Sequence, residues 1–99
     1  MNTIAKTIFE QLGANRFVAM TGAKNFCQDS NSLQFDIGRG ATNKANKVRI
    51  TLETSDTYQI EFFYVRGVVC KTCGEAIRGV YADQLQSTFT AQTGFDTHL

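Results

Sequence analysis

The 99-residue sequence contains no proline, so glycine alone punctuates the backbone, at positions 13, 22, 38, 40, 67, 74, 79 and 94. There is one histidine, His98, and no G-x-S-x-G, H-E-x-x-H or Walker pattern. The residue sets that serve acyl transfer, zinc proteolysis and phosphate-loop nucleotide binding are therefore missing. Thr21-Gly22-Ala23-Lys24-Asn25 has a glycine and a lysine but lacks the first glycine and the Ser/Thr of a phosphate loop. No run approaches the roughly 18 apolar residues of a membrane span. Neither sign of charge dominates: ten basic and nine acidic residues give +1. That excludes an overall polyanion able to mimic DNA and a basic protein of the histone kind. Residues 1–12 lack an apolar signal core, being interrupted by Lys6 and Glu10, so a cytoplasmic location is expected. Internal repeats and low-complexity stretches are also absent.

What is present is a chain 42% hydrophobic, enough for one core, and a single domain over 1–99 is expected. Ile4, Ile8 and Leu12 recur every four residues and predict a helix over 2–12, stopped by Gly13. Arg16–Thr21 is apolar on both faces and reads as a buried strand. Strict alternation follows at Leu33, Phe35 and Ile37, at Val48, Ile50 and Leu52, and at Tyr58, Ile60 and Phe62, with a possible fifth strand over 68–72. Tyr81, Ala82, Leu85, Phe89 and Gln92 predict a second helix over 80–93, stopped by Gly94. The expected fold class is α+β: a two-layer sandwich in the order α-β-β-β-β-(β)-α. Its antiparallel sheet has four to five strands, and the N- and C-terminal helices pack on one face.

Three features carry candidate chemistry. Cys70-Lys71-Thr72-Cys73 is a C-x-x-C, and zinc commonly takes two thiolates from such a pair. Cys27 and His98 would complete a four-ligand set. Ordinary reduced cysteines, which behave as small buried hydrophobes, are the favoured reading of the same residues. The stretch from Ile37 to Leu52 holds four cations, Arg39, Lys44, Lys47 and Arg49, and no anion. A flexible basic Gly/Asn-rich loop of this kind suits phosphates or an acidic protein patch. Arg49 lies in a strand, where Asp36 or Glu61 is its expected partner. Phe63 and Val65 fall on the otherwise polar face of the sheet, which marks a protein contact or a homodimer surface.

The segment Asn15-Arg16-Phe17-Val18-Ala19-Met20-Thr21-Gly22-Ala23-Lys24-Asn25-Phe26 resembles the signature of a family of small bacteriophage and prophage proteins. Val48-Arg49-Ile50-Thr51-Leu52, Val65-Arg66-Gly67 and Gly79-Val80-Tyr81-Ala82-Asp83-Gln84-Leu85-Gln86 extend the resemblance along the chain. The family carries no settled activity and no agreed catalytic residues, so it transfers no site, and the C-x-x-C is not part of its pattern. It implies a host bacterium and an accessory role, such as inhibition of a defence complex of the anti-CRISPR kind. The leading expectation is thus a non-enzymatic binding protein without a cofactor, contacting a host protein or protein complex through Arg39, Lys44, Lys47, Arg49, Phe63 and Val65. The alternatives are a nucleic-acid-binding accessory protein using the 38–49 loop, and a small zinc protein using the three cysteines and His98.

Overall fold

The computed structural model describes residues 2–95. Asn2 opens the first helix, α1 (Thr3–Leu12), and its side chain accepts a 2.8 Å hydrogen bond from the Ala5 N–H. That bond satisfies one of the orphan donors at a helix start. Ala5, Ile8 and Leu12 form the buried stripe. Gly13, at φ +119°, ends α1 and lets the chain enter α2 (Ala14–Thr21) at once.

α2 replaces the strand expected at Arg16–Thr21. It buries only Phe17 and Thr21, four residues apart, while Val18, Ala19 and Met20 stay at least partly exposed. The Thr21 hydroxyl is satisfied by donating to the Phe17 carbonyl at 2.8 Å. An apolar run this short carries too little period to separate helix from strand.

Strands β1 (Lys24–Gln28), β2 (Ser32–Asp36), β3 (Lys47–Leu52) and β4 (Tyr58–Arg66) are antiparallel neighbours in chain order. The nine residues of β4 leave room for two short strands along its far side. β5 (Val69–Thr72) pairs with its Phe63–Arg66 half and β6 (Ile77–Val80) with its Tyr58–Ile60 half. The sheet therefore has six strands, one more than the upper expectation. Arg78 fastens β6 to Glu53 through a 2.8 Å ion pair.

The last helix, α3 (Leu85–Thr93), is shorter than expected. Val80 belongs to β6, a 3-10 turn occupies Ala82–Gln84, and Tyr81, Ala82 and Gln92 are exposed rather than part of a buried stripe. Leu85, Phe89 and Thr93 form that stripe instead, and Gly94 stops the helix as expected.

All three helices contribute to the one core. Phe17 meets Phe35 and Phe89 edge-on at 5.4 and 5.1 Å, and Phe89 meets Phe62 at 6.3 Å. Such pairs add to the area they bury. Gln86 ties α3 to α1 by donating to the Leu12 carbonyl at 2.7 Å. The opposite sheet face, with Asp36, Arg49, Glu61 and Phe63, stays half-exposed, in keeping with the alternation. No helix among the described residues is long and apolar enough to cross a membrane.

Candidate functional site

The connection between β2 and β3 is expected to be flexible, and it is instead tied down along its length. Gly38 donates to the Thr21 carbonyl at 2.8 Å at the end of α2. A Cβ on Gly38 would sit 3.0 Å from that carbonyl oxygen, so any larger residue would have to push the two segments apart by a few tenths of an ångström. Thr42 donates its N–H to Thr93 at 2.8 Å and its hydroxyl to the Gln92 carbonyl at 3.2 Å, docking the loop on α3. Ala41 and Ala45 are buried in the core.

Asn46 is the anchor. Its amide behaves as an extra backbone unit of the sheet: Nδ2 donates to the Val65 carbonyl and Oδ1 accepts from the Val65 N–H, both at 2.8 Å. Its own N–H donates to Phe63 at 2.9 Å, and its carbonyl accepts from Ile37 at 3.0 Å. The loop is held against the end of β4 before any ligand arrives.

Two clefts open at this end of the sheet, and both include Arg39 and Asn46. The first, of 360 Å³, lies on the polar face and is bordered by Lys24, Asp36, Lys47 and Val65. Lys24, Asp36 and Lys47 stand side by side across β1, β2 and β3. A bulge in β1 sets Asn25 at φ +56°, and its amide donates to Asp36 at 2.8 Å. Lys47 approaches the other carboxylate oxygen at 2.9 Å. Burial alone would raise the Asp36 carboxyl, but the bonds from Asn25 and Lys47 and the charges of Lys47 and Lys24 outweigh it and hold it below its ordinary value.

The second cleft, of 570 Å³, lies on the helix-bearing face and is lined by Arg39, Lys44, Tyr64 and Arg66 together with backbone and alanine atoms of the loop. Tyr64 and Arg66 continue the face that buries Tyr58, Ile60 and Phe62. The core stops at Phe62, so Tyr64 is 38% exposed and Arg66 is exposed. Among the described residues the clefts are lined by five cations and one carboxylate, a local +4 on a chain of +1, leaving −3 for the remainder.

The structure brings some of the expected site residues together and disperses others. Arg39 and Lys44 are exposed and belong to the clefts. Lys47 borders the first cleft, but it is neutralised by Asp36 and only 26% of its side chain is exposed. Arg49 pairs with Asp29 at 3.4 Å rather than with Asp36, which Lys47 holds, or with Glu61, its register partner on β4. Phe63 is half-buried, in register between Lys47 and Thr72, and Val65 borders the first cleft with its backbone held by Asn46. Lys24, Tyr64 and Arg66 complete the basic end without any signal in the 38–49 charge run.

The zinc set does not assemble. Cys27 is on β1 and Cys70 on β5, at opposite edges of the sheet, about 19 Å apart at the usual strand spacing. Cys70 pairs with Val65 on the polar face, whereas Cys73 donates to the Phe62 carbonyl and packs against the core on the other. A strand sends residues three apart to opposite faces, which defeats chelation by this C-x-x-C. No group of three His, Cys, Asp or Glu side chains fit to hold a metal occurs among the described residues. His98 lies outside the described residues. No protein-family model, no curated protein and no solved structure matches the chain.

Proposed function

We propose that the protein is a non-enzymatic binding module that acts by surface contact through its basic end, on a partner that presents negative charge. The observation that carries this reading is the local +4 gathered around Arg39, on a loop already fixed in place by Asn46, Thr42 and Gly38. Charge held on a preorganised surface steers association and loses little freedom on binding. The resemblance to small phage proteins makes a host defence complex a fitting partner, engaged as an accessory factor rather than by catalysis.

The test is affinity capture from bacterial lysate with the native chain and with R39E/K44E/R66E. The native chain is expected to retain a stoichiometric partner at low salt and release it as salt rises. The reversed variant, shown by its melting temperature to be folded, is expected to retain none. Equal retention by both would overturn the reading.

A further inference from the structure

We infer that the cleft between the 38–46 loop and the end of β4 binds single-stranded nucleic acid, its phosphates on Arg39, Lys44 and Arg66 and a base stacked on Tyr64. This rests on the basic-end reading above and names its ligand. Among the described residues the cleft lining contains no carboxylate. None of Arg39, Lys44, Arg66 and Lys71 takes part in an ion pair among the described residues. Within that set their charge is uncompensated, in contrast to Lys47 and Arg49.

The aromatic ring decides between ligands. Tyr64, at 38%, is the most exposed aromatic residue of β4, and Phe63 stands half-buried on the opposite face, away from this cleft. It lies two residues from Arg66 on the same face, about 6.6 Å along the strand, and in register opposite Lys71 of β5. A π-face flanked by cations matches a base joined to phosphates, and stacking on such a ring is tolerant of sequence. An acidic peptide would use the cations and leave the ring without a partner. A duplex keeps its bases stacked inside the helix, out of reach of a ring lining a concave cleft.

Fluorescence anisotropy with labelled oligothymidylate and oligouridylate tests this, against a duplex of matched length and against labelled oligoglutamate. Both single strands are expected to bind more tightly than the duplex and the peptide. Tyr64→Ala should weaken them between about fivefold and a hundredfold without changing the salt dependence. Tyr64→Phe should preserve binding. Lys44→Ala or Arg66→Ala should weaken binding and lower the salt slope by about one. Preference for oligouridylate over oligothymidylate would identify RNA as the ligand. Oligoglutamate binding as tightly as the single strands, with Tyr64→Ala silent, overturns the nucleic-acid assignment and leaves the basic-end reading standing. Binding of none of these polyanions at low salt overturns the nucleic-acid assignment, while partner capture from lysate decides the basic-end reading separately.

Discussion

Asn46→Ala tests the anchor of the basic end. The substitution deletes two 2.8 Å hydrogen bonds to the Val65 backbone in a half-buried position. Each such bond contributes about 0.5–1.5 kcal/mol net. The loss should therefore fall between about 1 and 3 kcal/mol, towards the top where water cannot reach the Val65 N–H and carbonyl. For a domain of about 100 residues each kcal/mol moves the melting temperature by about 4–8 °C, so a central loss of about 2 kcal/mol gives about 8–16 °C. Urea unfolding followed by circular dichroism measures the energy, and hydrogen exchange at the Val65 amide locates it. Asn46→Asp sharpens the test. A carboxylate still accepts from the Val65 N–H but sets oxygen against the Val65 carbonyl. The Asp variant should match or exceed the Ala loss at pH 7 and recover as acid protonates it. A melting temperature within about 2 °C of the native chain, with Val65 exchange unchanged, would refute the anchoring role.

Two further outcomes follow from the charges and thiols. Asp36 has a folded pKa below its ordinary value of 3.8, so its stabilisation is present above that value and lost as pH falls through the folded pKa. Asp36→Asn should cost at most about 1 kcal/mol at neutral pH, as half-exposed pairs do, and should flatten the decline in stability below pH 3.8 seen by urea titration. Cys70 is exposed, whereas burial and then the neighbouring Cys70 push the Cys73 thiol up. Cys70, like the exposed Cys27, should therefore react early and Cys73 slowly with an aromatic disulfide reagent. Mild oxidation of the folded chain should yield no Cys70–Cys73 disulfide by mass spectrometry, since their α-carbons lie about 10 Å apart in an extended strand. Rapid formation of that bond would contradict the strand geometry.

The middle of the sheet was legible because Leu33, Phe35, Val48, Ile50, Tyr58, Ile60 and Phe62 alternate without interruption and each is buried. The helix stops at Gly13 and Gly94 were legible for the same kind of local reason, a left-handed backbone that glycine accepts. α2 was not, because Phe17 and Thr21 are its sole fully buried residues. β6 was not, because it buries only Val80 and holds Gly79 at φ +69° in its middle. At the basic end, Arg39 and Lys44 stood out as local charge. Lys24 and Arg66 did not, since pairing between distant strands and the loop brings them there. Tyr64 shares the parity of the core residues, and only the place where the core ends separates it from them. The hold of Asn46 on Val65 spans 19 residues and leaves no periodic trace.

β4 puts the interior and the outward-reaching residues on one face of one strand: Tyr58, Ile60 and Phe62, then Tyr64 and Arg66. Their parity is shared, so a single-residue insertion or deletion inside β4 would move Tyr64 and Arg66 to the far face or expel the core residues. The chain can change which side chains stand at positions 64 and 66, but it cannot change their phase relative to the interior. Drift in recognition is thus confined to substitution within this strand. Changes of length are left to segments that carry no such phase, such as the Thr54–Thr57 turn, where Asp56 already adopts the left-handed backbone of a tight reversal. Natural variants of this fold should show length variation in that turn and none between Tyr58 and Arg66.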